Sequence, residues 1–196
     1  VLNTTFIDDM CSRRAQARKY MVSCSASHGQ ENPQTLIDLL NEALATELIC
    51  VLRNKAHYYA SHGFPSPDED VKLADAEYME YANQDQKHVD QIAERITQLG
   101  GHADFNPAIL GQRGYSDYTS SGSPLDTLNE DLIAGRIVVD IFNEMIRFIG
   151  RRDLITRTLL ERIVEQKEEH ATQLMARIQA LRITPPARVA TMRAAS

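Results

Sequence analysis

The chain has 196 residues, 43% of them hydrophobic and 24% charged, which suits a single globular domain with a sizeable core and excludes a disordered or fibrous protein. Its net charge of −6 is unevenly spread: residues 1–146 carry 11 Lys/Arg against 22 Asp/Glu, whereas residues 147–196 carry 10 against 5. An acidic body argues against a general nucleic-acid binder, whose affinity comes from neutralising phosphates, and the sparse tail arginines Arg188 and Arg193 do not reverse that.

In chain order, Asp8 and Asp9 stand where a secretory leader would be apolar, so the expectation is a cytoplasmic protein. Residues 4–22 read as a short extra helix within an N-terminal extension spanning 1–31. The first long helix opens at Asn32-Pro33, a cap followed by proline at the first helical position, and runs to about Ala60. A second runs from Ser66-Pro67 to Gly100-Gly101. A third starts at Ser123-Pro124 and stops at Gly150, where Arg151 and Arg152 place cations against the negative helix end. The fourth spans about Asp153 to Ile183 and is ended by Thr184-Pro185-Pro186, after which residues 184–196 read as a flexible tail. No apolar run approaches the ~20 residues of a bilayer span, so no membrane contact is expected. Cys11, Cys24 and Cys50 form an odd set without C-x-x-C spacing, which reads as free thiols.

The short first–second and third–fourth links make antiparallel hairpins. Residues 101–123 form a long Gly/Ser/Tyr-rich connection, which fits a four-helix bundle with one crossover from end to end. The expected fold is therefore all-α, with the bundle over residues 32–183. His28, His62 and His102 fall in predicted loops, and Tyr115 and Tyr118 of the crossover are expected to pack against a neighbouring subunit.

Apolar residues recur at 3–4 spacing on each helix, and polar ones interrupt the inward stripes near mid-bundle on three helices. Helix one places Glu47 there, and helix two places Asp85 and His88. Lys167 and His170 interrupt helix four, whose stripe continues through Leu174, Ile178 and Leu181. An unpaired charge buried on such a seam costs several kcal/mol, so these residues are paired, bound to metal or not on the seam at all. Asp85-x-x-His88 and Lys167-x-x-His170 each point two side chains from adjacent turns into one space. Oxygen and nitrogen ligands arriving from facing helices suit iron, manganese or zinc.

The runs LLNEALATELICVLRNKAHYYA (39–60), QDQKHVDQIAERITQLGG (84–101), EDLIAGRIVVDIFNEMIRFIG (130–150) and TRTLLERIVEQKEEHATQL (156–174) resemble the bacterioferritin-type and Dps-like members of the ferritin-like superfamily. The resemblance covers roughly residues 32–181. It implies a ferritin-like bundle in a symmetric oligomer and a dinuclear iron centre, held by one Glu on helices one and three and a Glu-x-x-His on helices two and four. Carried over residue by residue, the implied metal ligands are Glu47, Asp85, His88 and His170. The pattern breaks at Gly135, which replaces the helix-three glutamate in DLIAGRI, and at Lys167, which replaces the first glutamate of the helix-four motif. The resemblance also implies a haem methionine directly after the helix-two carboxylate. Gln86 stands there, so haem is not expected. A Dps-like interface metal site is matched in spacing by His57 and Asp90-x-x-x-Glu94.

Three local readings follow: Lys167 pairs with Glu47 and Asp85 in a metal-free polar core; a single weakly held iron sits on Glu47, His88 and His170; or water or another ligand completes a dinuclear site. The functional expectation is an iron-storage or iron-handling subunit with an incomplete ferroxidase centre, forming homo-oligomers or mixed oligomers with a related active subunit. Its rivals are a non-catalytic structural subunit and an active Fe(II)-oxidising protein.

Overall fold

The structure is a computed structural model, and it describes residues 4–27, 33–62, 69–115 and 124–183. In chain order the helices are α1 (Thr4–Ser27), α2 (Pro33–His62), α3 (Glu69–Gln98), α4 (Leu110–Arg113), α5 (Pro124–Ile149) and α6 (Leu154–Ile183), with no strand among the described residues. None of these helices is long and apolar enough to cross a membrane.

The four long helices α2, α3, α5 and α6 form the bundle, and their side-chain contacts fix its topology. Glu47 meets His88 while Asn54 meets Asp85, so α2 and α3 run antiparallel. Arg95 meets Asp153 while Arg177 meets Glu77, so α3 and α6 do too. The three residues between Gly150 and Leu154 turn α5 directly back into α6. Therefore α5 runs parallel to α3, and the intervening chain has to travel the length of the bundle, the one long crossover expected.

The helix ends follow local chemistry. Gly100 adopts φ +78° and Gly150 φ +57°, left-handed conformations that close α3 and α5. The Gly101 N–H reaches back to the Ile96 carbonyl at 2.9 Å, and the Gly150 N–H to the Ile146 carbonyl at 2.9 Å. Asp153 caps α6 by accepting the Thr156 backbone N–H at 2.9 Å. It also accepts Arg95 Nη2 at 2.6 Å, which ties that cap to α3.

The interior is apolar at both ends and polar between them. Phe142, Leu40, Leu44, Ile92, Ile96, Ile141, Met145 and Leu160 fill a large cluster, and Tyr78, Tyr81, Leu128, Leu174 and Ile178 fill a smaller one. Each large apolar side chain taken fully out of water contributes about 1.5–3 kcal/mol. The layer separating the clusters holds the charged residues described below.

Several expectations are corrected. The N-terminal helix is longer than residues 4–22, ending at Ser27; it buries Ala17 and Met21. Arg14 and Arg18 contact Asp140 and Glu144 in the same order, so α1 lies parallel to α5. Tyr115 packs inside its own chain: its N–H donates to Thr46 Oγ1 at 2.9 Å and its hydroxyl to Glu42, because the crossover folds down onto α2. His62 closes α2 instead of lying in a loop, and Leu181, expected on the inward stripe of α6, is 42% exposed. His102 is exposed, as expected. Cys11 and Cys50 are free thiols, the first exposed and the second buried. His28, Tyr118, Arg188, Arg193, the 184–196 tail and the side chain of Cys24 lie outside the described residues.

Candidate metal centre

Glu47 on α2 and Asp85 and His88 on α3 converge in the polar layer, each offering a ligand atom within 4.8 Å of the others. Their convergence follows from the sequence spacing: Asp85 and His88 occupy adjacent turns of one α3 face, and antiparallel packing brings Glu47 opposite. All three are buried, Glu47 completely.

Lys167 of α6 occupies the same space. Its ammonium lies 2.6 Å from Asp85 Oδ1 and 3.0 Å from Glu47 Oε2. Burial alone would favour the neutral amine, but the facing carboxylates hold Lys167 well above the ordinary lysine range. Asp85 is pinned on its other oxygen by the Asn54 amide at 3.0 Å. Burial and the nearby Glu47 charge still push Asp85 above the usual carboxylate range. Burial also works against Glu47, but the Lys167 charge and the His88 hydrogen bond outweigh it and hold Glu47 low.

His88 is clamped at both ring nitrogens. Nδ1 lies 2.9 Å from Glu47 Oε2 and Nε2 lies 2.6 Å from Gln166 Oε1. Both partners are oxygens, which suit a ring protonated at both nitrogens. Although burial opposes that charge, the hydrogen bond and charge of Glu47 raise His88 above the ordinary histidine range.

His170 lies apart from this trio. Its ring stacks on Tyr81 at 3.4 Å between centroids, and its buried Nε2 finds no hydrogen-bond partner among the described residues. Burial and the neighbouring Lys167 charge lower it to about 3, so it is a neutral imidazole. Gly135 of α5 faces open space: a Cβ built there meets nothing within 4 Å.

The sequence reading missed a second buried ionic group beside the first. Arg53 Nε lies 3.1 Å from Asp131 Oδ1, and His57 Nδ1 lies 3.0 Å from Asp131 Oδ2, all three residues buried. His57 also meets Tyr78 edge to face at 5.3 Å. The available signal was spacing: Arg53 and His57 are one turn apart on α2, and Asp131 is one turn before Gly135. Gln166 and Asn54, which complete the first group, were likewise unassigned.

The interface residues are not brought together within the chain. His57 turns inward onto Asp131, whereas Asp90 and Glu94 are exposed on α3. Asp90 accepts the Gln86 amide at 3.0 Å, which leaves Gln86 on the exposed side of α3 engaged with its own helix.

Each of Glu47, Asp85 and Asp131 faces a basic side chain: Lys167 and His88 for the first two, Arg53 and His57 for the third. A pair of divalent cations does not fit this donor set. Lys167 already engages Asp85 Oδ1 and Glu47 Oε2, and α5 and α6 present Gly135 and an ammonium where the resemblance implies carboxylates. Of the four expected ligands, only Glu47 Oε1 and His170 Nε2 keep a buried atom without a hydrogen-bond partner, too few to hold two ions.

A family model described as a ferritin-like domain matches residues 37–184. A curated bacterioferritin from Desulfovibrio desulfuricans is 24% identical over 151 residues, covering 75% of this chain and 76% of that protein. Among solved structures, a D. desulfuricans bacterioferritin described by its diiron site superposes with a TM-score of 0.68 at 19% identity, covering 79% of this chain and 86% of the other. A dodecameric thioferritin, the bacterioferritin-related protein of Bacteroides fragilis, superposes at 0.70 with 23% identity over 79% and 90%. The bacterioferritin of Rhodobacter capsulatus, with a metal-free dinuclear site and haem iron, superposes at 0.69 with 20% identity over 80% and 91%. At these identities the structural likeness speaks for the fold alone.

Proposed function

The chain belongs to the ferritin-like family, and from that premise we propose that it is an iron-storage or iron-handling subunit whose intrahelical ferroxidase centre is incomplete. The observation carrying this reading is the Lys167 ammonium seated between Glu47 and Asp85, with Gly135 opposite. A protein cation supplies the compensating charge that a metal pair supplies in a working centre. Iron is then cargo of the assembly, and its oxidation takes place outside this bundle.

Two further points belong to the same reading. The subunit assembles with copies of itself or with a related subunit that carries a complete centre; the dodecamer formed by the B. fragilis relative supports an oligomeric role. His57, Asp90 and Glu94 are candidates for iron only where two subunits meet, since one chain keeps them apart. No haem ligand is assigned, because Gln86 occupies the implied position.

The test loads the intact purified assembly with Fe(II) under anaerobic conditions, then admits oxygen and follows Fe(III) formation and iron per chain. The expected result is oxidation no faster than a protein-free control, accelerated when a ferroxidase-competent relative is co-assembled. Rapid oxidation by this chain alone, with two irons per chain, contradicts the proposal. If even the mixed assembly retains no iron, the subunit is structural.

A further inference from the structure

On the surface of the bundle, the seam between α3 and α6 opens into a groove of about 610 Å³ with His88 and Ile163 in its lining. Each wall supplies an exposed cation, Lys87 on α3 and Arg162 on α6, and neither has a hydrogen-bond or ion-pair partner among the described residues. Gln166 adds a directed donor. Its Oε1 accepts from His88, so its amide N–H groups point away from the buried cluster. Glu80 is the single carboxylate in the lining, and apart from His88 the remaining polar side chains are neutral amides. The groove is thus rich in donors and carries excess positive charge.

We infer that this groove binds a small multivalent oxyanion, a phosphate or a polycarboxylate, clamped between Lys87 and Arg162 with the Gln166 amide donating to it. A guanidinium presents paired N–H groups that match two oxygens of such an anion, and an ammonium on the facing wall neutralises further charge. Gln166 also holds His88, so the occupant touches the outer end of the hydrogen-bond chain that runs inward to Glu47. The assignment uses neither a bound metal nor the proposed iron function.

The experiment adds inorganic phosphate, and in a separate arm citrate, to the intact metal-free assembly, and measures saturable binding by calorimetry and by phosphate ³¹P line broadening. The two arms distinguish phosphate from polycarboxylate selectivity, and binding of neither overturns the inference. The variant Lys87→Gln/Arg162→Gln is expected to weaken binding by about tenfold or more, the effect of losing roughly one charged contact's free energy. Glu80→Gln is expected to tighten it, and Gln166→Leu to weaken it while moving the His88 imidazole NMR signals. Arg151→Gln, at an exposed cation outside the groove lining, serves as the control and is expected to change nothing. Equal losses in the control and the groove variant mean general surface charge attraction and contradict a site. Undiminished binding by Lys87→Gln/Arg162→Gln does the same.

Discussion

Around the expected centre α2 and α3 contribute two carboxylates and an imidazole, whereas α5 and α6 contribute Gly135, Lys167 and a neutral His170 at the facing positions, and the buried Asp131 of α5 turns instead to Arg53 and His57. The first pair has the ligand chemistry of a metal site. The second turns it into a closed ion cluster by supplying a cation in place of a carboxylate and empty space in place of another. On the proposed reading, protein groups stand in for metal at the centre of the bundle, with Lys167 between Glu47 and Asp85. Such clusters add little net stability over an apolar core, yet removing one member is costly because the others are stranded. That asymmetry makes the comparison breakable by single substitutions.

Lys167→Met should have the largest effect. It leaves Glu47 and Asp85 facing each other without their cation, and a loss of about 3–5 kcal/mol is expected in urea unfolding at neutral pH. An unchanged midpoint would mean that Lys167 is not what closes the cluster. Arg53→Met attacks the neighbouring ionic group. It should cost somewhat less, about 2–4 kcal/mol by the same measurement, because His57 remains beside Asp131.

A smaller effect is expected from pH. His170 is lowered from its ordinary value of 6.5 to about 3, so the unfolded chain takes up its proton first as the solution is acidified. Its contribution is complete above pH 6.5, falls between 6.5 and about 3, and levels off below. Glu47, held below the usual carboxylate value, also loses its contribution as pH falls through its folded value. His88 has the opposite sign. Raised above 6.5, its contribution is complete below that pH and is lost as pH rises through the folded value. Thermal melts from pH 7 to 4 should therefore fall less steeply for His170→Phe, which keeps the stack on Tyr81, than for the unaltered chain. Parallel curves would remove His170 from the account.

The smallest effect concerns α1. Its pairs Arg14–Asp140 and Arg18–Glu144 are largely solvent-exposed, with side-chain exposures of 41% and 46% in the first and 56% and 23% in the second. Each arginine-to-alanine change should cost less than about 1 kcal/mol and less again at high salt. Proteolysis of the α1 segment at rising ionic strength measures this. A salt-independent rate would mean that Ala17 and Met21 alone dock the helix.

The bundle was readable in the sequence because its signals are local. Proline and glycine mark the helix boundaries, and 3–4 spacing marks the seams, so the sequence places α2 within two residues of its observed end and the crossover is legible from its length. Glu47, Asp85, His88 and Lys167 were readable for a related reason: a charge on an apolar seam is conspicuous. Arg53, Asp131 and Gln166 were not, because their meaning comes from partners on other helices. Asp131 on its own is an acid near the start of a helix, and only α2 packing across it makes it the shared partner of Arg53 and His57. Tyr115 was misjudged for the same reason, since its partner Glu42 lies on α2, 73 residues away in sequence.

Anaerobic Fe(II) titration of the unaltered chain beside the Gly135→Glu/Lys167→Glu variant tests the central claim most directly, because a Cβ at Gly135 meets nothing within 4 Å and the two changes place carboxylates on the α5–α6 half. The account predicts that the variant binds more iron per chain than the unaltered protein and is stabilised by it, while the unaltered protein melts at the same temperature with or without Fe(II). Equal, tight iron binding by both would contradict it.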